Sequence, residues 1–359
     1  MGLMYSGCAD ECPLFSVIVP AFQCAETLED CVESVLGQEG SDVELVLVDD
    51  GSTDGTGAIC DRCASRYPGR AVVIHKYNEG PLAARIDGVL SARGRYLLFL
   101  DADDRFVPGV LERVREAIEG ARVDLVIFNH YRCADAQRRL CAPLYEDGRV
   151  FEGPSLSVLR SDALLGPNLN SLWQKCVRRD LLENVEAFRS YGRMVMGEDK
   201  LLSLSVLGRA RRAVYLAEGL YEYRVSEHSL SHDLGLKHYQ DMERVYAMCE
   251  RLITAWDLDD RESRLARSRI ELGLSCLYSI VGRTGQPSGT EEFKRAARYL
   301  SEDPRFVEAY ATAKGGLSFR GRVAVWLLLH GRDGFLWPML RCYVRTKERL
   351  SASHESAGE

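Results

Sequence analysis

Short, almost wholly apolar runs alternate with longer amphipathic stretches along the first part of the chain. The runs fall at 15–19, 43–48, 71–74 and 96–100. A strand covered on both faces has no polar side to show, so these predict buried strands. Between them, 27–36 carries its apolar residues at Leu28, Cys31, Val32, Val35 and Leu36, the spacing of a helix with one buried face. Segments 55–64 and 82–90 read the same way. Strand–helix alternation of this kind predicts an α/β domain with a mainly parallel sheet and right-handed crossovers. A helix at 110–118 and a strand at 124–128 extend it.

Beyond that point the pattern loosens. Residues 133–170 are rich in turn formers and charge and read as loop, with Gly166-Pro167-Asn168 a turn that a compact domain keeps for function. Helical periodicity returns at 200–207, and 213–216 reads as a returning strand. From 236 onward only helices are expected; Met242, Val245, Tyr246, Cys249, Leu252, Ile253 and Trp256 form one stripe. The expected organisation is a tail at 1–13, an α/β domain at 14–235 with halves at 14–130 and 131–235, and a helical region at 236–359. No fixed-period repeat is visible.

Composition narrows the function classes. The 46 basic against 53 acidic residues give a net charge of -7 spread along the chain, so duplex nucleic acid is not an expected partner. The longest apolar run, 323–329, is far short of the roughly 20 residues a membrane-spanning helix needs. The first residues lack the basic and apolar regions of a secretory signal, so a cytoplasmic protein is expected. Twelve scattered cysteines then read as reduced thiols, and the single CxxC at Cys60 and Cys63 has no second pair for zinc.

Candidate chemistry sits where apolar runs end. Val48 leads into Asp49-Asp50-Gly51-Ser52, and Leu100 leads into Asp101-Ala102-Asp103-Asp104. In open parallel sheets ligands bind beyond the carboxyl ends of the strands, and clustered carboxylates repel one another unless a cation or donors compensate them. Asp101 and Asp103, two apart on an extended segment, face the same way. Such a pair suits a hard cation, Mg2+ or Mn2+, that keeps positions open for a diphosphate. The plainer alternative is that Asp103 or Asp104 caps the helix entered near Pro108.

The segments FSVIVPAF, Gln38 after Ser34-Val35-Leu36, ELVLVDDGSTDGT, AAR at 83–85 and GRYLLFLDADD together resemble family 2 glycosyltransferases of the GT-A fold. LWQKCVRRDLL, GEDKLLSLSVLG and YEYRVSEHSLS resemble segments of the bacterial polysaccharide-type members, taking the likeness to about residue 231. The resemblance implies a Rossmann-like mixed sheet flanked by helices, with a nucleotide-sugar half at 14–130, an acceptor half at 131–235 and a helical C-terminal extension. It also implies that Pro20 and Ala21 line the nucleoside pocket, Asp50 binds the base with Asp49 supporting the loop, and Arg85 meets base or diphosphate. Asp101-Ala102-Asp103 would hold ribose and the bridging metal; His228 would reach the metal or the diphosphate, or simply be solvated in a polar loop. Asp199 would be the catalytic base and Glu198 its acceptor-binding neighbour, although acids in a first helical turn are also simply stabilising. Trp173 would stack on the acceptor sugar or pack in the core; Lys175 would approach the phosphates or be exposed. Gln23 and Ile86 depart from the family pattern, which has Asn at both places.

The implied activity is metal-dependent, inverting transfer of a hexosyl or N-acetylhexosaminyl group from a nucleotide sugar, typically of uridine diphosphate, to a glycan or lipid-linked acceptor of the cell surface. Rivals are a catalytically silent nucleotide-binding subunit and, less well matched, a phosphatase with an aspartate nucleophile, for which the Gly-Thr expected after DxD is missing. An EF-hand fails because Arg105 and Phe106 occupy positions needing an oxygen ligand and Gly. A dinucleotide enzyme fails for want of GxGxxG. Finally, 319–349 mixes seven basic residues with two acids and many aromatic and apolar ones. That suits peripheral contact with an anionic membrane, or an apolar face covering the catalytic domain or a second copy of the chain.

Overall fold

The structure is a computed structural model describing residues 12–38, 42–134, 137–166, 168–225, 234–258, 261–283 and 288–355. It divides into two compact units, one of residues 1–194 with 198–227 and one of 195–197 with 228–359.

In the first unit ten strands form one sheet. They are β1 (Phe15–Ala21), β2 (Val43–Asp49), β3 (Ala71–His75), β4 (Tyr96–Phe99), β5 (Arg105–Phe106), β6 (Leu125–Ala134), β7 (Gln137–Leu140), β8 (Arg149–Glu152), β9 (Lys175–Arg178) and β10 (Arg212–Arg224). The main order is β3-β2-β1-β4-β9-β6-β10-β5, with β7 on β6 and β8 on β10. The first four form a parallel block, while β9 runs antiparallel to both β4 and β6, so the sheet is mixed. Every residue of β2 is buried, which is why its sequence shows no alternation. The flanking helices are α1 (Leu28–Leu36), α2 (Thr56–Arg66), α3 (Pro81–Ser91), α4 (Val110–Ala121), α5 (Leu156–Leu165) and α6 (Glu198–Arg209).

The register positions the acids. Ala21 pairs with Asp49, and Ile18 with Phe99, so β1, β2 and β4 end along one edge. Asp49-Asp50 and Asp101-Ala102-Asp103 therefore leave the sheet on the same side.

Three expectations change. Residues 133–170 are not simply loop: they hold β7, β8 and α5, and β7 escapes notice because all four of its residues, Gln137 to Leu140, are exposed. The strand expected at 213–216 is the start of β10, which continues through irregularities at Leu216, Gly219 and Tyr221 that interrupt its apolar pattern. Neither Asp103 nor Asp104 caps a helix; α4 starts after Gly109 with no side-chain cap.

The second unit is helical: α7 (Leu236–Ala255), α8 (Glu262–Arg283), α9 (Ser288–Glu302), α10 (Pro304–Ala313), α11 (Phe319–Leu329) and α12 (Asp333–Glu355). Its own core gathers Tyr239, Ile270, Leu277, Phe293, Phe306, Val325, Leu336 and Leu340. A buried ion pair, Arg269 Nε to Glu243 Oε1 at 2.7 Å, lies within it. The inward faces of α11 and α12 belong to that core, whereas Phe319, Trp326 and Phe335 are 73%, 49% and 71% exposed.

Candidate active site

The loops after β1 and β2 are laced together. Asp49 Oδ1 accepts from Ser52 N at 3.0 Å and its Oδ2 lies 3.0 Å from His75 Nδ1, so the carboxylate closes the turn and braces β3. Asp50 N donates to Ala21 O at 2.9 Å, fixing the end of β1 beside Pro20. The chain turns at Gly51, with φ +77 and Asn78 N so near that a Cβ would lie 2.8 Å from it; only glycine fits. Gln23 N donates to Ser52 Oγ at 3.1 Å, and Gln23 Oε1 accepts from Thr53 N at 2.7 Å. Its φ of 51 is left-handed, a conformation Asn tolerates better, so the departure from the family's Asn carries a backbone cost. The other departure, Ile86, is fully buried and serves as core.

Asp50 reaches across to α3. Its Oδ1 accepts from Glu79 N at 2.9 Å and its Oδ2 from Gly80 N at 2.8 Å. This anchors the start of α3, entered through Gly80 and Pro81, as befits a carboxylate at a helix N-terminus. One turn later Arg85, 5% exposed, gathers the remaining acids. Its Nη2 donates to Asp101 Oδ1 at 2.9 Å, its Nη1 to Glu198 Oε1 at 3.2 Å, and its Nη2 lies 3.3 Å from Asp199 Oδ1. Burial alone would make this guanidinium easier to deprotonate; Asp199, Asp101 and Glu198 overcome that and lock its charge in place. Burial pushes Asp101 up, Arg85 pulls it back, and Asp199, Asp103 and Glu198 add to the rise. Glu198 is raised by burial and by Asp199. One guanidinium thus faces three carboxylates, and the site lacks positive charge.

Around this centre the next residue types differ in use. Ala102 is buried and its carbonyl accepts from Thr27 Oγ1 at 2.9 Å, which shapes the Asp101–Asp103 turn. Asp103 is exposed, while Asp104 is 1% exposed and turned inward. Asp104 Oδ2 accepts from Tyr221 Oη at 2.6 Å and Oδ1 from Arg224 N at 2.7 Å, and Asp101 N donates to Tyr221 Oη at 3.2 Å. Burial first, then the charges of Asp101 and Asp103, push Asp104 up to about 8. Asp104 and Tyr221 are thus the strut that holds the acid turn against β10, a pairing across 117 positions that no local pattern in the sequence announces.

Of the two acceptor candidates, Trp173 takes the core position that was its alternative reading, and Lys175 is corrected. Trp173 is an open platform for no sugar: it is 9% exposed and stacks on Tyr221, ring centroids 4.4 Å apart, and on Tyr223 at 5.9 Å. Lys175 is neither exposed nor directed to phosphate. It is fully buried, donating through Nζ to Leu169 O at 2.9 Å and to Ser171 O at 2.5 Å. Burial draws its ammonium down to about 7 against the opposing charge of Asp199. The loop it holds places Leu172 N 3.4 Å from Asp199 Oδ2. His228 lies outside the described residues. A separate hollow of about 880 Å3, lined by Leu14, Asp42, Arg93, Arg95, Arg178 and Arg179, opens where β1, β2 and β4 begin, at the edge opposite the acids.

An open α/β sheet whose parallel strands end in loops lined with acids has the GT-A architecture of nucleotide-sugar transferases. Residues 16–142 match the model of "Glycosyl transferase family 2". It is 33% identical over 219 residues to the uncharacterized glycosyltransferase EpsJ of Bacillus subtilis, covering 61% of this chain and 63% of that protein. It is 29% identical over 265 residues to the succinoglycan biosynthesis protein ExoO of Rhizobium meliloti, covering 73% of this chain and 74% of that one. The chain thus spans less than two thirds of the length of EpsJ. Among solved structures, S. aureus TarS 1–349 in complex with UDP-GlcNAc superposes with a TM-score of 0.61 at 18% identity, over 94% of this chain and 92% of that one, a likeness of fold.

Proposed function

We propose that the protein is an inverting glycosyltransferase that moves a sugar from a nucleotide diphosphate donor, of uridine by preference, to a glycan or lipid-linked acceptor in cell-surface polysaccharide synthesis. The observation that carries this reading is the convergence of Asp101, Glu198 and Asp199 on buried Arg85, with exposed Asp103 beside them, at the carboxyl edge of the sheet. The ExoO likeness and the TarS fold with its UDP-GlcNAc support the donor and product class.

In this reading Pro20, Ala21 and Asp50 receive the nucleoside, and Asp49 holds their loop. Each Asp50 oxygen that accepts a backbone N–H keeps a second lone pair for a base N–H. Asp199 accepts the proton of the acceptor hydroxyl as that oxygen attacks the anomeric carbon and the nucleoside diphosphate departs from the opposite side. Its Oδ1 is ion-paired with Arg85 and has no hydrogen bond among the described residues, which leaves a lone pair uncommitted. Glu198 orients the acceptor, and Arg85 keeps the three carboxylates from separating.

A divalent cation, Mg2+ or Mn2+, fits the residues present. No group of three or more His, Cys, Asp or Glu able to hold a metal occurs among the described residues. A cation that takes one or two carboxylates and completes its shell with phosphate oxygens and water needs no more than Asp103 and Asp101. When bound, it would offset the charge growing on the departing diphosphate. The outward aromatic faces of α11 and α12, with Arg320, Arg322, Arg332 and Arg341, support peripheral contact with an anionic bilayer at the cytoplasmic face. No helix among the described residues is long and apolar enough to cross a membrane.

A panel of nucleotide sugars, incubated with the full chain and Mn2+, tests the reading through release of free nucleoside diphosphate. One donor is expected to be turned over well above the rest. Binding of a donor with no release or transfer under any acceptor would favour a silent subunit instead.

A further inference from the structure

Away from the acids, β6 and β7 bring a cysteine, a histidine and a glutamine into line. Their pairing ends at Tyr131 and Leu140, and the next residue, Cys141, donates its N–H to His130 O at 3.0 Å. Asn129 Nδ2 donates to Cys141 O at 2.8 Å, so the backbone of Cys141 is held from both sides. Cys141 Sγ then lies 3.2 Å from His130 Nε2, and His130 Nδ1 lies 2.9 Å from Gln174 Nε2. Gln174 is 6% exposed and comes from the segment just before β9.

The order of donors follows from this chain of contacts. With the Gln174 amide donating to Nδ1, the proton of the neutral imidazole sits on Nε2 and points at sulfur. Burial, then the nearby charge of Arg132, disfavours the imidazolium, so the ring acts as a neutral donor. The N–H aimed at sulfur holds the Cys141 side chain in one orientation and offers a hydrogen bond to the sulfur as it reacts. Cys141 is also part-exposed, whereas Cys31 and Cys176 are sealed in the core, where burial pushes their thiols up.

We propose that Cys141 is a reactive thiol, oriented and activated by His130 and Gln174, that forms mixed disulfides with small soluble disulfides. The thiol releases its proton to water, and the thiolate attacks one sulfur of the disulfide. A new S–S bond forms to Cys141 as the old one breaks, and the departing thiolate takes a proton from water. The adduct would sit one aromatic layer from the acids. His130 meets Trp173 edge-on, 4.9 Å between centroids, and Trp173 stacks on Tyr221, whose hydroxyl bonds Asp101 N. The proposal is independent of the transferase reading, because its test reads thiol chemistry alone.

Full-length protein is incubated at pH 7 with excess oxidised glutathione, quenched in acid at intervals, and each cysteine followed by peptide mass spectrometry. Cys141 is expected to react ~10-fold or more faster than the exposed Cys12 and Cys342, despite its poorer access. His130→Gln should bring it down to their rate or below. Cys31 and Cys176 staying unreacted reports an intact fold in that variant; if it does not fold, Gln174→Leu provides the second comparison, with a smaller loss. A wild-type Cys141 rate no faster than those of Cys12 and Cys342, or one that the folded His130→Gln variant leaves unchanged, overturns the assignment.

Discussion

Arg85 Nη2 donates to Asp101 Oδ1 at 2.9 Å, joining a helix that follows β3 to the turn that follows β4. The same guanidinium holds Glu198 and Asp199 at the start of α6, more than a hundred residues further along. It is the point at which three separate parts of the sequence become one site.

Removing that cation leaves three carboxylates facing one another. Arg85→Met is expected to lower stability by about 3–5 kcal/mol, the usual cost of stranding one side of a buried pair. Denaturant unfolding measures it, and an unchanged midpoint would refute the clamp. Arg85→Lys keeps the charge without the planar fork, so it should recover only part of the loss.

Asp199→Asn keeps shape and hydrogen-bonding reach while removing the base. Donor affinity by calorimetry should stay within error, whereas transfer measured in a single turnover should fall by roughly 100- to 10,000-fold. Transfer at the wild-type rate would remove Asp199 from the role of base.

Asp103 is exposed, so Asp103→Ala should change stability by no more than about 0.5 kcal/mol. It is expected nonetheless to weaken Mn2+ binding in the presence of a nucleoside diphosphate, read by electron paramagnetic resonance, and to abolish turnover. Full activity in excess EDTA would reject the metal.

Lys175 makes stability depend on pH. Its folded-state pKa, drawn down to about 7 by burial, lies below that of an unfolded lysine, about 10.4. Between those values the unfolded chain binds the extra proton, so stability should rise with pH across that window and level off outside it. A neutral amine still has two N–H groups for Leu169 O and Ser171 O. Lys175→Met should flatten this rise in urea melts run from pH 6.5 to 10, and should shift Asp199 by loosening the 169–172 loop.

The outward faces of α11 and α12 predict a membrane effect without a folding effect. Changing Phe319, Trp326 and Phe335 together to Ser touches no core position and should leave thermal unfolding unchanged. Co-sedimentation with vesicles rich in anionic lipid should drop several-fold. If vesicles never bind and the wild type but not the variant self-associates in ultracentrifugation, those faces instead join two copies of the chain.

Several features could be read without coordinates. The apolar runs that became β1, β2 and β4 announced themselves because strands buried on both faces leave few polar residues in the pattern, whereas β3, expected to be buried, is half-buried at the end of the sheet. Asp50, Asp101 and Asp103 stood out because charge at the end of such a run is costly. β7 was invisible because it is exposed, and β10 was cut short in the reading because its irregular stretch breaks the alternation. Lys175 was misjudged, and the two readings of Trp173 stayed undecided, for a related reason. A tryptophan or lysine in a polar neighbourhood of sequence looks available, and nothing local records that Tyr221 stacks on one or that two carbonyls enclose the other.

The sequence by itself determined the alternation of strands and helices from β1 to β4, the parallel block they form, and the acids that close β2 and β4, since these depend on burial pattern and on charge within a few neighbouring positions. Only the tertiary structure decided which acids meet. Asp50 is spent partly on anchoring α3, Asp104 turns inward to Tyr221, and Asp101, Glu198 and Asp199 share Arg85. Their partners lie far apart along the chain, and the forces between charges act through space, where sequence spacing gives no measure of distance.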